Sequence, residues 1–255
     1  MHKAKKSYGQ HFLIQQRTIE RIIALIKSFN LDNLLEIGPG RAALTNHLLA
    51  SYSNFQAIDA DIEMIEYLHC RFPNNKDQFI HGDILKTNFT HLFDGRPFLL
   101  CGNFPYNISS QIVFKMLENR DQIPVMVGMF QKEMARRIIA SPGNKDYGII
   151  SVIASLFYSG KIAFDVGPDN FNPPPKVMSS ILVLTRNNYT LDEIEFKNIL
   201  RLIKTAFQFR RKTLRNNLRT AYPDNSVLNN PFFDRRPEEL SPSEFVELIS
   251  ELNTD

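Results

Sequence analysis

Between residues 33 and 139 the chain repeatedly switches between two hydrophobic periods. Short, almost uninterrupted apolar runs read as buried strands: Leu34-Leu35-Glu36-Ile37, Phe55-Gln56-Ala57-Ile58, Phe79-Ile80, Phe98-Leu99-Leu100-Cys101-Gly102 and Val125 to Phe130. Between and after them come segments with helical spacing, marked by Leu44, Leu48 and Leu49, by Ile65, Leu68 and Phe72, by Ile112, Val113, Met116 and Leu117, and by Met134, Ile138 and Ile139. Strands that alternate with helices of this length build βαβ units, and right-handed crossovers then place helices on both faces of a mostly parallel sheet. That architecture brings the carboxyl ends of the strands to one edge, where ligands of open α/β sheets bind.

The flanking segments follow other patterns. Ile19, Ile22, Ile23 and Ile26 predict an amphipathic helix before the first strand. After about Tyr147 comes an apolar segment from Ile149 to Tyr158 and then two strand-like pieces, Lys161–Val166 and Ile181–Leu184, which suit an antiparallel addition at the sheet edge. From about Asn187 the pattern is helical only, with apolar stripes at Phe196, Ile199, Leu200, Ile203 and Phe207 and at Phe245, Leu248, Ile249 and Leu252. Ser241-Pro242-Ser243-Glu244 predicts a capping box with proline at the first helical position. The expected division is a large α/β domain over residues 1–187, opening with an arm at 1–14, and a small all-helical domain over 188–255. A chain of 255 residues accommodates both.

No run approaches the roughly 18 apolar residues of a membrane span, and the basic start Met1-His2-Lys3-Ala4-Lys5-Lys6 leads into no apolar signal core. With two cysteines, one of them (Cys101) in a predicted buried strand, a cytoplasmic protein without disulfides is expected. The formal net charge is only +3, but it is unevenly spread. Lys3, Lys5, Lys6 and Arg17 precede the first acid, Glu20. No acid lies between Glu195 and Asp224, where Arg201, Lys204, Arg210, Arg211, Lys212, Arg215 and Arg219 accumulate. Such patches on a nearly neutral protein point to a phosphate-rich partner, although solvated helix faces also carry lysines.

Chemistry concentrates at the strand ends. Glu36-Ile37-Gly38-Pro39-Gly40 closes the first strand, and its glycines let backbone approach a ligand closely. Asp59 ends the second strand, where a carboxylate can hold ribose hydroxyls, and Asp83 ends the next. Ala43 leaves a loose dinucleotide fingerprint open, while the acid ahead of the glycines fits an S-adenosylmethionine loop better. At the fourth strand end stand Asn103-Phe104-Pro105-Tyr106-Asn107, followed by Ser109-Ser110 at a helix start. Asn103 can accept a hydrogen bond, Pro105 stiffens the turn, and Tyr106 offers a flat face. An exocyclic amine on a planar ring suits this set; a stiff loop with a packed tyrosine suits the five residues equally well.

Taken in order, Gly9-Gln10-His11-Phe12-Leu13, Glu36 to Gly40, Asn103 to Ser109, Gln131-Lys132-Glu133, Tyr147-Gly148, Phe171-Asn172-Pro173-Pro174-Pro175-Lys176-Val177 and Phe209-Arg210-Arg211-Lys212-Thr213-Leu214 make the chain resemble the ribosomal RNA adenine dimethyltransferase family, most closely its KsgA branch. The resemblance implies a Rossmann-like class I methyltransferase sheet with a helical C-terminal domain. It implies S-adenosylmethionine as cofactor, with His11 and Leu13 lining its pocket from the arm and Gly38, Gly40, Asp59, Asp83 and Asn103 completing it. Its expected reaction is N6-dimethylation of two adjacent adenosines near the 3′ end of small-subunit (16S) rRNA, in an assembling 30S particle and by a monomer. Three positions depart from the family's usual residues: His11 stands for Asn, Asp59 for Glu and Phe104 for Leu. An imidazole reproduces only part of an amide's hydrogen bonding.

On this reading, the Asn103 side-chain oxygen and the Phe104 carbonyl accept the two N6 hydrogens, Pro105 holds the turn, Tyr106 stacks on the adenine and Phe171 closes its other face. Lys3, Lys5, Lys6, Arg210, Arg211, Lys212 and Arg215 are expected to contact RNA. No metal is called for, because the histidines show no ligand spacing. The alternatives are an Erm-type methyltransferase acting on large-subunit rRNA, a non-catalytic nucleic-acid-binding factor, and a nicotinamide-dependent dehydrogenase. Asn107, the Gln131-Lys132-Glu133 segment and the Arg210-Arg211-Lys212 run favour the first reading over Erm.

Overall fold

Strand β1 (Phe12–Leu13) leads into helix α1 (Gln16–Lys27), whose buried face is Ile19, Ile22, Ile23 and Ile26. This is the arrangement in the computed structural model, which describes residues 10–223 and 225–252. The alternating region then gives β2 (Asn33–Ile37), α2 (Thr45–Leu48), β3 (Asn54–Asp59), α3 (Ile62–Arg71), β4 (Phe79–His81), β5 (Leu99–Asn103), α4 (Ser109–Glu118), β6 (Val125–Gln131) and α5 (Lys132–Ile138). Most of the stretch after Gly40 is turn, so α2 is a single short helix rather than the longer one its leucines suggest. The apolar run from 149 forms α6 (Ile149–Phe157), followed by β7 (Tyr158–Val166), β8 (Phe171–Asn172) and β9 (Ser179–Arg186).

Seven strands join in the order β4-β3-β2-β5-β6-β9-β7, while β1 pairs antiparallel with β8. The pairings among β4, β3, β2, β5 and β6 are parallel, and β9 runs antiparallel to β6, as expected for an edge addition. Parallel strands with helices on both faces bury both sides, which is why every residue of β2 is buried. From β2 the chain moves outward to β3 and β4, then returns to β5 on the opposite side of β2. The loops after β2 and β5 therefore part company and leave a crevice between them, at the switch point of the sheet.

Two compact units result. One holds the chain up to Ala135 together with Gly160–Arg186; the other holds Arg136–Ser159 together with the chain from Asn187. The second unit contains α7 (Glu193–Ala206), α8 (Leu214–Leu218) and α9 (Pro242–Leu252). It thus draws in residues 136–159 from ahead of the expected boundary at 187–188. Phe157 meets Phe196 edge-on, with ring centroids 5.7 Å apart, and the Tyr147 hydroxyl donates to Leu240 O (2.9 Å). The last helix starts as its sequence predicts: Ser241 N donates to Glu244 Oε2 (2.7 Å) and Glu244 N to Ser241 Oγ (3.3 Å). Among the described residues, no helix is long and apolar enough to cross a membrane.

Candidate active site

The crevice at the switch point is a cavity of about 260 Å³. The loops after β2, β3, β4 and β5, together with the arm at β1, line it. His11, Leu13, Gly38, Gly40, Asp59, Asp83, Asn103, Phe104, Pro105 and Tyr106 all contribute, so the strand-end residues singled out in the sequence converge on one space.

On one side lies a glycine turn backed by carboxylates. Gly38 and Gly40 have φ of +68° and +50°, a region that side chains rarely adopt, and a Cβ on Gly40 would stand 3.1 Å from the Phe12 ring. Asp59 is held from two directions: Gly40 N donates to its Oδ2 (3.3 Å) and Asp61 N to its Oδ1 (2.9 Å). Burial pushes its pKa up, and these backbone donors partly offset the push. Glu36, only 2% exposed in the middle of β2, accepts the Thr45 hydroxyl (2.8 Å). Its pKa rises from an ordinary 4.5 to about 8, first because burial disfavours the charged form, and further because Asp59 lies nearby; the Thr45 hydrogen bond works in the opposite direction. Asp83 is exposed, and its Oδ1 takes the Leu85 N–H (3.0 Å). Asp59 and Asp83 make this half of the cavity suited to a ligand with hydroxyls and amino groups to donate.

The other side is built on the turn after β5. Asn103 Nδ2 donates to the His11 carbonyl (2.7 Å), which commits its amide nitrogen to the arm and leaves Oδ1 as the acceptor. The Phe104 ring is buried edge-on against Phe130 (5.2 Å, 79°), so the backbone at Phe104 is anchored by its own side chain. The Tyr106 hydroxyl is hydrogen-bonded to Ser179 Oγ (2.6 Å). The His11 imidazole stacks on one side of the Tyr106 ring (5.6 Å, 25°), with Nδ1 2.8 Å from Pro173 O. His11 thus links the arm, the proline loop and the tyrosine.

Phe171 does not belong to this space. Its ring is 3% exposed and lies in the hydrophobic core with Leu13, its register partner in the β1–β8 pair. Alternation along the two-residue strand turns Phe171 inward and Asn172 outward. Phe171 is thus not among the residues that line the cavity, and a place for it over the base stays an expectation of the resemblance. Ser179 and Thr45, which fix Tyr106 and Glu36, escaped the sequence reading. A serine at the start of an antiparallel strand gives no signal until its register with β6 is known.

Lys3, Lys5 and Lys6 are outside the described residues. In the helical unit, Arg210 donates to the carbonyls of Lys145 and Tyr147, and Arg215 pairs with Asp234 (2.6 Å) while donating to Leu228 O (2.8 Å). Both guanidiniums therefore hold structure together. Arg211 and Lys212 are exposed.

A family model described as ribosomal RNA adenine dimethylase matches residues 1–249. A ribosomal RNA small subunit methyltransferase A from Flavobacterium johnsoniae is 46% identical over 254 residues, covering 99% of this chain and 97% of that protein. Among solved structures, a dimethyladenosine transferase from Plasmodium falciparum aligns with a TM-score of 0.79 at 28% identity, over 95% of this chain and 98% of that one. The 23S rRNA methyltransferase ErmE shares the fold, with a TM-score of 0.64 at 23% identity over 95% of this chain and all of that one.

Proposed function

The chain belongs to the ribosomal RNA adenine dimethylase family, and from that premise we propose that it dimethylates N6 of two adjacent adenosines near the 3′ end of small-subunit rRNA, as a monomer acting on an assembling 30S particle. It is an S-adenosylmethionine-dependent methyltransferase of rRNA. The similarity to proteins named for the small subunit, nearly half identical over the whole length, favours that subunit over the large one.

The residues present fit the cofactor. The Gly38–Gly40 turn admits it closely, Asp59 suits ribose hydroxyls, and Asp83 suits the adenine amino group. His11, Leu13 and Asn103 line the same cavity. S-adenosylmethionine supplies an electrophilic methyl group on a positively charged sulfur. This chain's residues supply the geometry. The N6 lone pair of adenine is delocalised into the ring, so the amine is a weak nucleophile. Asn103 Oδ1 and the Phe104 carbonyl accept hydrogen bonds from its two N–H groups before the first transfer and from the one that is left before the second. This localises the lone pair and aims it, and each transfer releases one N6 proton to water. Positive charge developing on N6 meets carbonyl dipoles that are already oriented. Orientation of this type contributes up to about 7–11 kcal/mol when ideal. Tyr106, fixed through Ser179, is the stacking surface for the base, and His11 backs the ring. The adenosine reaches the pocket unstacked, which favours a loop or a splayed strand.

The observation that carries the reading is the division of labour at Asn103: nitrogen bound to the His11 carbonyl, oxygen left to accept. Asn103→Ala is expected to lower methylation of undermethylated 30S particles by at least ~10²-fold, with the far-ultraviolet spectrum unchanged and 50S particles untouched by either protein. Near-normal turnover by the variant would sink the mechanism, and preference for 50S particles would sink the substrate.

A further inference from the structure

Phe209 is a large apolar side chain left 53% exposed in the turn between α7 and α8. Its exposure does not come from a loose loop. Asn217, fully buried, grips the turn from beneath: Nδ2 donates to Ala206 O (2.7 Å) and Phe209 O (3.2 Å), and Oδ1 accepts Phe209 N (3.1 Å). Lys212 N donates to Phe209 O as well (2.8 Å). Both backbone groups of Phe209 are therefore satisfied, and the ring is held outward by a preorganised support. Leaving a phenyl ring in water in this way has a cost that packing against a neighbour would have removed.

The chain around the ring points to a class of ligand. No acid occurs from Phe196 to Pro223. Arg210 and Arg215 are engaged by backbone carbonyls and Asp234, but Arg211 and Lys212 stand exposed directly after the ring. An aromatic face beside two cations is the combination that holds single-stranded nucleic acid, with bases on the ring and phosphates on the cations. We propose that Phe209 is a stacking platform for an unpaired base of the rRNA substrate, at a site distinct from the target adenosine, held beside phosphate contacts made by Arg211 and Lys212. The inference rests on the reading of that basic run as an RNA contact.

Because the chain contains no tryptophan, Phe209→Trp introduces a single indole at the site. Its emission is expected to be quenched when the protein is saturated with a single-stranded oligoribonucleotide or with undermethylated 30S particles. Phe209→Ala, at an exposed position, is expected to fold normally and to bind both probes about 5- to 150-fold more weakly, the range for losing one stacked base. Phe209→Tyr should restore binding. Stacking moves no counterions, so the slope of log K against log salt should match wild type in Phe209→Ala. Arg211→Ala with Lys212→Ala should flatten that slope by about 0.7 per lost phosphate contact. Wild-type affinity in Phe209→Ala, with a flattened slope in the charge variant, overturns the stacking role alone. Wild-type behaviour in the charge variant overturns the RNA contact itself. A concentration-dependent dimer lost in Phe209→Ala, with RNA affinity intact, assigns the ring to a second copy and also overturns the proposal.

Discussion

Glu36 is a carboxyl group in a strand whose every residue is buried, so folding must either charge it without water or keep its proton. The rise of its pKa to about 8 says that the proton is kept. Between its ordinary value of 4.5 and 8, the folded protein holds a proton that the unfolded chain has already released. Stability from this group is therefore full below about 4.5 and declines as pH rises toward 8, by about 1.4 kcal/mol per pH unit. Above 8 both states are ionised and the decline stops. Glu36→Gln has the same shape, keeps an oxygen for the Thr45 hydroxyl and cannot ionise. Chemical denaturation from pH 5 to 9 should show a shallower fall for the variant and a stability gain of a few kcal/mol at the alkaline end. Parallel curves would mean that Glu36 ionises normally in the fold.

At the level of elements, the site depends on a hollow made by two glycines. Gly102 on β5 and Gly128 on β6 are register partners, and a Cβ on Gly128 would run into the rings of Phe104 and Phe130. The Phe104 ring occupies the space those side chains leave, and this anchors the backbone whose carbonyl is proposed to accept from N6. Gly128→Ala should cost about 1–3 kcal/mol through overpacking. It should also lower kcat while calorimetry shows S-adenosylmethionine affinity little changed; an unchanged kcat would free the carbonyl from its proposed role. The same elements explain what could be read in advance. Gly38, Gly40, Asp59, Asp83 and Asn103 were legible because each interrupts an apolar run at a strand end, and parallel βαβ order brings those ends together. Phe171 and Ser179 were not, because a two-residue strand has no period to read and an antiparallel register is decided by partners far away in the chain. The partners of Arg210 and Arg215 were not legible either, because sequence shows a charge without the carbonyls it is bonded to.

For the whole molecule, the two units are not two consecutive stretches of chain. Residues 136–159 belong with the helices after 187, although the sheet resumes in between. The apolar rhythm changed near Tyr147 but could not reveal that α6 is surrounded by helices that come later. Ile150, Val152, Ile153, Leu156 and Phe157 of α6 are all buried, and Phe157 lies edge-on to Phe196 of α7. A fragment ending at residue 187 would strip α6 of α7 and α9 and expose that apolar surface, while a fragment of 188–255 would leave the stripes of α7 and α9 without α6. Contiguous apolar exposure of this kind drives association rather than folding. Fragment 1–187 is therefore expected to bind a hydrophobic dye, to aggregate on concentration and to lose the cooperative thermal transition of the full chain, and 188–255 to show little helical signal. Co-expressing the two fragments should recover a soluble complex, because α6 then meets its partners. A soluble 1–187 fragment that unfolds cooperatively would show that α6 needs none of them.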